Sequence, residues 1–446
     1  MPPVSLWPDP DALGPITDLY ELTMMAGYAA SGMAEKRATF ELFVRRLPPG
    51  RAYLVFAGLE QAVGDLLRLK FTEEQAGYLA SLPAFAHVDP TWFEALPYLR
   101  FQGDIWSVPE GTVVFPGETL LRVEAPLAQA QWVETFLIAS LNYPTLVASK
   151  AARIVEAAHG RSCVDFGTRR GHGPHAGFLA ARAAYLAGFD GTSHVEASRL
   201  LGIPPVGTMA HAWVQSFETE RAAFAAFARV FPENTTLLVD TYDTLEGVRH
   251  AAEIEPPVKG VRLDSGEVGA LSKAARAILD AAGRRATKIF ASGDLDEWKI
   301  GELVRVGAPV DAFGVGTELI TSRDAPALSM VYKLVAIDGH GRVKLSPGKR
   351  TFPLAKQVYR RRDGQGRFAG DHVTRWDEKA EGEALLSQVV SEGQLVGELL
   401  TLAAIRERCR SQVSALPGVL RGPDPTGVYP ISYSDVLESA AKTLGL

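Results

Sequence analysis

Apolar residues near the start of the chain change between helical and strand-like spacing. Residues 18–28 place an apolar stripe at helical spacing behind a capping aspartate, which predicts an amphipathic helix. Residues 39–44 have the composition of a strand, and residues 101–124 form short alternating runs broken by proline and glycine. Residues 128–158 return to helical periodicity. We therefore predict an N-terminal α+β domain that contains a β-rich module.

Farther along the chain, short apolar runs alternate regularly with helical stretches. Seven runs end in small, polar or charged residues, at 164–167, 191–193, 207–211, 238–240, 261–264, 290–294 and 313–317, and residues 331–337 could add an eighth strand. Alternating strands and helices predict a parallel sheet, and this number of units favours a barrel over an open sheet. Because barrel enzymes carry reactive groups at the carboxyl ends of their strands, the polar run ends predict one shared active-site face.

The predicted fold class is α/β, an irregular (β/α) barrel with a second α+β domain. The N-terminal domain takes residues 1–145, and the barrel with the active site takes residues 146–340. Residues 341–446 begin with a strand segment rich in lysine and arginine and continue with a helical stretch over 381–410. We expect this last part to pack back on the N-terminal domain.

Charge and cysteine content exclude several classes of protein. The 446 residues include 46 Lys plus Arg and 52 Asp plus Glu, a formal net charge of −6, so nucleic-acid binding through a global positive field is not expected. Cys163 and Cys409 cannot build a disulfide framework or a four-thiolate zinc site, and they suit a reducing compartment. The first residues do not resemble a signal peptide and the apolar stretches are too short for a bilayer, so we expect a cytoplasmic protein without membrane contact.

Three glycine-containing loops have the composition of phosphate-binding sites. Residues 165–175 combine glycines with two arginines and two histidines, and arginine forks and exposed backbone N–H groups both bind phosphate oxygens. Gly293 and residues 314–317 end the last two of the seven runs, where barrel enzymes commonly bind a phosphate group. The alternatives are a solvated basic loop and ordinary turns.

Charged residues at the other strand ends are candidates for catalysis. Arg262 and Asp264 alternate along one strand and point the same way, either as a structural ion pair or as ligands of a substrate. His211 ends another run, and Asp240 and Asp243 lie at the end of a later one. A histidine oriented by a carboxylate can act as a base or a nucleophile, although a lone histidine is more often structural. Paired carboxylates also suit Mg²⁺.

Eight motifs in order resemble those of the nicotinate phosphoribosyltransferase family, which consists of type II phosphoribosyltransferases. They lie at residues 17–24, 40–46, 165–170, 207–211, 239–243, 262–266, 292–294 and 314–317. The resemblance runs from about Thr17 to past Arg360, and eight motifs in one order make coincidence remote. It implies transfer of the phosphoribosyl group of phosphoribosyl pyrophosphate to the ring nitrogen of nicotinate, coupled to ATP hydrolysis, as the first step of NAD salvage.

The resemblance also implies roles for individual residues. It implies that ATP phosphorylates His211 to a phosphohistidine, with Asp240 and Asp264 as further catalytic residues, and that Asp240 and Asp294 bind Mg²⁺ or surround His211. The residues that it implies for binding nicotinate, the diphosphate, the ribose and its phosphate are Tyr20, Phe166, Arg169, Ser193, Thr208, Arg262, Asp264, Gly293, Gly316 and Thr317.

Two of these implied roles bear on specificity and assembly. Phe166 and Tyr20 of the partner subunit would sandwich the pyridine ring, which implies a homodimer with shared active sites. Relatives that use nicotinamide carry an acid at the position of Ser193, and an acid there would repel the carboxylate of nicotinate. Ser193 is therefore expected to favour nicotinate. The resemblance separately implies that Arg169 binds the diphosphate.

Departures from the family and two rival functions are also part of the sequence evidence. The chain is short for the family and lacks the thiolate cluster that some relatives carry for zinc. Leu354 and Ala355 stand where the family usually has a glycine, so Lys344, Lys349 and Lys356 receive no role. The first rival is quinolinate phosphoribosyltransferase, which decarboxylates a dicarboxylate and uses neither ATP nor a phosphohistidine. The second is a non-catalytic barrel that binds pyridine nucleotides. The histidine motif argues against the first rival, and the complete set of charged groups argues against the second.

Overall fold

The computed structural model describes residues 9–346 and 351–445, and the chain divides into two compact units. The first unit contains the described residues of Met1–Thr145, Ala327–Leu420 and Thr426–Leu446, and the second contains Leu146–Pro326 and Arg421–Pro425. Lys349 lies outside the described residues. Within the described ranges, no helix is both long enough and apolar enough to cross a lipid bilayer.

The N-terminal segment folds as its apolar spacing predicts. Its elements are α1 (Leu19–Ala30), β1 (Arg37–Val44), β2 (Leu54–Val55), α2 (Leu59–Leu66), α3 (Glu73–Ser81), α4 (Pro90–Ala95), β3 (Asp104–Ser107), β4 (Val113–Val114), β5 (Leu121–Pro126), α5 (Leu127–Trp132) and α6 (Glu134–Ala157). Helix α1 begins after Asp18, whose backbone N–H donates to the Glu21 carboxylate at 2.8 Å. Glu21 is fully buried and also accepts from the Thr135 N–H in α6 at 2.8 Å. The predicted helix at 18–28 and strand at 39–44 are confirmed.

The second unit is an alternation of parallel strands and helices. Its elements are β6 (Ser162–Asp165), α7 (Pro174–Leu186), β7 (Gly191–Thr192), α8 (Val195–Leu201), α9 (His211–Gln215), α10 (Glu220–Val230), β8 (Thr236–Leu238), α11 (Thr244–Ala252), β9 (Gly260–Leu263), α12 (Val268–Ala281), β10 (Lys288–Ala291), α13 (Glu297–Arg305), β11 (Ala312–Val315) and α14 (Thr317–Ile320). The strands pair in the order β7-β6-β11-β10-β9-β8, and every pairing is parallel. The irregular (β/α) barrel is thus confirmed as a curled half-barrel sheet.

One of the seven predicted strands does not form in the described structure. Residues 207–211 lie in no strand, and His211 is the first residue of α9. The stretch just before them forms one isolated bridge, between Thr192 and Pro205. Pro204 and Pro205 lack backbone N–H groups, so this stretch cannot complete a ladder of hydrogen bonds. The sheet therefore ends at β7 on this side.

The C-terminal segment returns to the N-terminal one and builds two sheets. Its elements are β12 (Met330–Ile337), β13 (His340–Gly341), β14 (Lys356–Arg362), β15 (Phe368–Arg375), β16 (Glu383–Ala384), β17 (Ser387–Ser391), β18 (Gln394–Leu395), α15 (Leu402–Ser414), β19 (Ile431–Tyr433) and α16 (Asp435–Thr443). The sheet orders are β13-β12-β1-β5-β3-β17-β18 and β16-β14-β15-β19, with the pair β2-β4 apart. The predicted return that forms a second α+β domain is confirmed.

Two expectations for this segment are wrong. Residues 331–337 do not add an eighth barrel strand, because they lie in β12 and pair antiparallel with β1, with Leu42 opposite Tyr332. The helix expected over 381–410 forms only from Leu402, because β16, β17 and β18 occupy the preceding stretch. Gly393 takes a φ of +74° there, and a Cβ on it would lie 2.3 Å from the Phe101 carbonyl oxygen. Such a turn stops a helix and starts a hairpin.

A buried cluster of charges fastens the returning hairpin β14-β15 to the N-terminal segment. Arg360 is 1% exposed, and its Nη2 lies 2.6 Å from Asp371 Oδ2 and 3.7 Å from Glu118 Oε2. Its Nη1 donates to the Val113 carbonyl at 2.7 Å, and Tyr429 donates its hydroxyl to Asp371 at 2.7 Å. Burial raises the pKa of Glu118 well above its ordinary value, and the charge of Asp371 adds to this. The guanidinium of Arg360 is therefore needed to keep two acids in this interior.

Replacing Arg360 by methionine should destabilise the protein strongly. The substitution keeps an apolar stem but leaves two buried acids without their cation, which costs about 3–5 kcal/mol of unfolding free energy. The matched control is Arg367→Met in the same hairpin, because Arg367 pairs with Asp363 at 3.1 Å while half exposed, and loss of such a pair costs less than about 1 kcal/mol. Urea unfolding of both variants measures the difference, and equal losses would contradict the central position of Arg360.

Candidate active site

The carboxyl ends of four neighbouring strands bring most of the predicted site residues together. The chain leaves β6 at Asp165 and enters the turn at 166–170, while β9 ends in Leu263 and is followed by Asp264. Strand β10 is followed by Ser292 and Gly293, and β11 by Gly316. Parallel strands end at the same edge of a sheet, so this edge is the shared face that the polar run ends predict.

Arg262 and Asp264 are partners of one another and of other groups at this edge. Arg262 Nη2 lies 3.2 Å from Asp264 Oδ1, and Arg262 Nη1 donates to Thr208 Oγ1 at 2.6 Å. Ser292 donates its hydroxyl to Asp264 Oδ1 at 2.5 Å. Burial raises the pKa of Asp264, but the hydrogen bond from Ser292 and the charge of Arg262 outweigh it, so this pKa lies below its ordinary value. Asp264 is therefore held in its charged form.

His211 faces the same carboxylate. Its Nε2 lies 3.9 Å from Asp264 Oδ2, and its Nδ1 lies 3.1 Å from the Thr241 hydroxyl, with the side chain 40% exposed. The sequence suggested Asp240 or Asp243 as the carboxylate that orients this histidine. Asp243 instead caps α11 by accepting from the Glu246 N–H at 2.9 Å. The carboxylate that faces His211 is therefore Asp264, which directly follows β9, while Asp243 caps α11.

Asp240 joins the end of β8 to the end of β9 and keeps one oxygen free of hydrogen bonds. Its Oδ2 accepts from the Asp264 N–H at 3.1 Å and from the Ser265 hydroxyl at 2.5 Å. Its Oδ1 is buried and has no hydrogen-bond partner among the described residues. A buried carboxylate oxygen without a donor is costly, so this atom suits a cation that arrives with a ligand.

Phe166 lies between other aromatic and charged groups. Its ring stacks on Phe290 with centroids 5.4 Å apart and planes 21° apart, and the Arg262 guanidinium lies 5.7 Å from its centroid. A Cβ on Gly314 would lie 2.6 Å from Phe166 Cδ2 and 2.8 Å from Phe290 Cε1. The glycine of β11 thus makes room for both rings.

Ser193 meets the turn that follows Phe166. Its hydroxyl lies 3.1 Å from Thr168 Oγ1, and its backbone N–H donates to the Asp165 carbonyl at 2.8 Å. The Asp165 side chain is fully buried beside this contact. Burial raises its pKa, although hydrogen bonds from the Gly167 N–H and the Thr192 hydroxyl favour the charged form.

The glycines and the remaining charged candidates shape the rim of the site. Gly293 has a φ of +90°, and a Cβ there would lie 2.0 Å from the Asp264 carbonyl oxygen, so only glycine fits. Gly316 precedes Thr317, the first residue of α14. Asp294 and Arg169 are exposed on the turns after β10 and β6. The second unit therefore holds all the predicted site residues except Tyr20.

Tyr20 lies in the first unit, on the exposed face of α1. It is 46% exposed, and Leu19 and Met24 are exposed beside it. Partial burial and the charges of Glu134 and Glu21 raise its pKa, so its hydroxyl stays protonated at neutral pH. Of the lysines without a predicted role, Lys344 is exposed and Lys356 is buried, donating to Glu41 Oε2 at 2.7 Å.

Three polar residues of the site escaped the sequence analysis: Asp165, Thr241 and Ser292. Each lies inside a motif that the sequence singled out, one or two positions from a residue that received a role. Their hydroxyl and carboxyl groups contact residues from other strands, strand ends or α9, so only the tertiary fold shows what they contact. A signal was present, since each lies within two positions of the end of an apolar run.

Comparison with known proteins decides the family. Residues 16–142 match the nicotinate phosphoribosyltransferase (NAPRTase) N-terminal domain, and residues 161–347 match the nicotinate phosphoribosyltransferase (NAPRTase) family. The chain belongs to the nicotinate phosphoribosyltransferase family. Tyr20 falls in the first matched range, and the other predicted site residues fall in the second.

Individual family members agree over nearly the whole chain. Nicotinate phosphoribosyltransferase pncB2 of Mycobacterium tuberculosis is 48% identical over 427 residues, which cover 94% of this chain and 91% of that protein. Nicotinate phosphoribosyltransferase of Bacillus subtilis is 44% identical over 390 residues, which cover 84% of this chain and 79% of that protein. The crystal structure of human nicotinic acid phosphoribosyltransferase is similar with a TM-score of 0.86 at 29% identity, covering 96% of this chain and 99% of that one.

The tight fit of Gly314 leads to a stability prediction for this family member. Gly314→Ala should lower the free energy of unfolding by about 1–3 kcal/mol, because the added methyl overlaps both stacked rings. Gly301→Ala is the matched control in α13, since no atom lies within 4 Å of its added Cβ, and it should be neutral or stabilise by up to about 1 kcal/mol. Chemical unfolding measures both, and equal values would contradict the fixed position of the rings.

Proposed function

We propose that the protein transfers the phosphoribosyl group of phosphoribosyl pyrophosphate to the ring nitrogen of nicotinate. The products are nicotinate mononucleotide and pyrophosphate, and the reaction is the first step of NAD salvage from nicotinate. The observation that carries the proposal is the cluster of Arg262, Asp264, His211 and Asp240 at one strand edge, inside the range that matches the family. The activity in the names of the relatives supports the same conclusion.

The site supplies groups for the pyridine ring and its carboxylate. Phe166 offers an aromatic face, and Arg262 with Thr208 offers a cation and a hydroxyl 2.6 Å apart. A guanidinium pairs with a carboxylate through two parallel hydrogen bonds, so Arg262 suits nicotinate better than it suits an amide. We further propose that Tyr20 of the partner subunit covers the other face of the ring, in a homodimer with shared sites. Its exposure on α1 supports this.

Bond cleavage at the sugar needs charge stabilisation on the leaving diphosphate. The transition state resembles an oxocarbenium ion, and arginine groups act on charge that develops on the departing oxygens. Arg169 is exposed on its turn and free to reach such a group. Asp264 suits the ribose hydroxyls, and the glycine turns at Gly293 and Gly316 with Thr317 suit the ribose phosphate.

The Asp240 carboxylate fits a bound Mg²⁺. Its buried Oδ1 lacks a donor, and Asp294 stands exposed beyond β10 as a second oxygen ligand. The described residues hold no cluster of three or more His, Cys, Asp or Glu side chains that could hold a metal by themselves, so diphosphate oxygens would complete the coordination shell. When bound, the ion would neutralise charge on the diphosphate.

We propose that ATP hydrolysis is coupled to transfer through His211. The negative charge of Asp264 lies 3.9 Å from His211 Nε2, so we propose that the proton is on Nε2 and the lone pair on Nδ1. Nδ1 would attack the γ-phosphorus of ATP, the bond from phosphorus to the ADP oxygen would break, and a phosphohistidine would form. Hydrolysis of the phosphohistidine would then transfer the phosphoryl group to water and restore the imidazole. Energy released in that step could drive closure around the substrates or release of products.

Choice of acceptor tests the proposed activity. Pyrophosphate release from phosphoribosyl pyrophosphate should require nicotinate and should rise when ATP and Mg²⁺ are added. Nicotinamide should be a poor acceptor, because it lacks the charge that Arg262 recognises. Release with quinolinate alone would favour the decarboxylating rival. Tight binding without release for any acceptor would favour a non-catalytic barrel.

Substitution of His211 tests the coupling separately. His211→Ala should reduce nicotinate-dependent ATP hydrolysis to background and should remove the ATP stimulation of transfer, because no ring nitrogen remains to carry the phosphoryl group. His87→Ala is the control, since His87 is exposed in the first unit and outside the site. If His211→Ala still hydrolyses ATP in a nicotinate-dependent way, the phosphohistidine is ruled out while the transfer activity stands.

A further inference from the structure

A fully buried carboxylate joins two loops of the proposed nicotinate site. Asp165 ends β6 with its side chain 0% exposed. Its Oδ1 accepts from the Gly167 N–H at 2.7 Å, and its Oδ2 accepts from the Thr192 hydroxyl at 2.7 Å. Gly167 directly follows Phe166, and Thr192 directly precedes Ser193. The Asp165 side chain therefore bonds both to the loop that carries Phe166 and to the loop that carries Ser193, the residue expected to favour nicotinate.

Further contacts show that the two loops meet in one fixed register. The Ser193 N–H donates to the Asp165 carbonyl at 2.8 Å, and the Ser193 hydroxyl lies 3.1 Å from Thr168 Oγ1. Thr192 Oγ1 accepts from the His194 N–H at 3.0 Å, so its hydroxyl hydrogen is left for Asp165. The direction of each hydrogen bond around the Asp165 carboxylate is therefore determined.

Packing on the opposite side of the turn leaves no room for adjustment. A Cβ on Gly167 would lie 2.8 Å from Ile320 Cβ and 3.1 Å from the Gly316 carbonyl oxygen. The Phe166 N–H donates to the Val315 carbonyl at 2.9 Å. The turn is thus fixed by β11 and α14 on one side and by Asp165 on the other. Without the carboxylate, a buried N–H and a buried hydroxyl would both lose their acceptor.

We propose that Asp165 is a positioning residue for nicotinate, which sets the relative placement of Phe166 and Ser193 around the pyridine ring. This inference rests on the proposed function. Asp165 itself contacts neither substrate. Its effect reaches the substrates through the two loops, so it should act mainly on nicotinate binding. Phosphoribosyl pyrophosphate should be affected less, because within these loops only Arg169, farther along the turn that Gly167 begins, would contact it.

A second aspartate gives a matched control for loss of structure. Asp190 also bridges β6 and β7, because its Oδ2 accepts from the Ser162 hydroxyl at 2.8 Å and from the Cys163 N–H at 3.3 Å. These contacts lie at the amino end of β6, two or more positions before Asp165. Asp190→Ala therefore removes a carboxylate that bonds to the amino end of β6, whereas Asp165 bonds to Gly167 and Thr192 at the carboxyl end.

The experiment measures KM for each substrate and the melting temperature in four variants and the wild type. Asp165→Ala should raise KM for nicotinate about tenfold or more, the effect of losing buried hydrogen bonds to a charged group, with a clearly smaller increase in KM for phosphoribosyl pyrophosphate. Thr192→Val keeps the side-chain shape and removes the hydrogen bond to Asp165, so it should also raise KM for nicotinate. Asp165→Asn should restore much of the affinity, because its carboxamide can accept from Gly167 and donate to Thr192. Asp190→Ala should lower the melting temperature without changing either KM.

The outcomes separate this role from the proposed function. If Asp165→Ala and Thr192→Val lower the melting temperature but leave KM for nicotinate unchanged, Asp165 is only structural and the inference is overturned. Equal increases of both KM values would overturn it as well. If Asp165→Ala does not fold, Thr192→Val decides alone. A wild-type protein that releases no pyrophosphate with nicotinate would overturn the proposed function together with the role of Asp165.

Discussion

The carboxylate of Asp264 is the group on which the rest of the site depends. It pairs with Arg262 at 3.2 Å, accepts from Ser292 at 2.5 Å and faces His211 at 3.9 Å. Its backbone N–H is fixed by Asp240 at 3.1 Å. These partners come from the ends of three strands and from the start of α9, so no two of them are adjacent in sequence. A shift of this one carboxylate would change the position of the cation, the hydroxyl and the imidazole together.

Local arrangement of charge explains how a protein of net charge −6 could bind the two anionic substrates proposed for it. A global field of this sign repels nicotinate and a diphosphate weakly at physiological ionic strength, because the field is screened within about 8 Å. Local cations dominate at shorter range. Asp264 orients Arg262 and biases the imidazole of His211, so one acid arranges the groups that meet acidic ligands. The first unit uses its charges differently, since Arg360 and Lys356 are buried against acids and are not available to a ligand.

The sequence predicted most strands and most of the residues that the structure brings together at the candidate site, because both depend on local patterns. Helix α1 follows from an apolar stripe, and Arg262 and Asp264 share a face because a strand alternates. The partners of side chains were not predictable in the same way. His211 could face Asp240, Asp243 or Asp264, and only the placement of its loop on the sheet decides among them. The failed helix over 381–410 has a similar cause, because pairing of β17 with β3, with Val390 opposite Ile105, overrides the helical propensity of this stretch.

The hydrogen-bond partners of each buried polar atom distinguish residues that support the site from residues that suit ligand binding. Both oxygens of Asp165 accept hydrogen bonds from the protein, so a ligand could not improve its environment. Asp240 Oδ1 and Arg262 Nε are buried without a partner in the described part of the chain. Burying a polar group without a hydrogen-bond partner costs about 1–3 kcal/mol. A ligand that bonded to these two atoms would remove that cost. Part of the affinity for substrate is therefore created when the protein folds, in the atoms that the fold leaves unpaired.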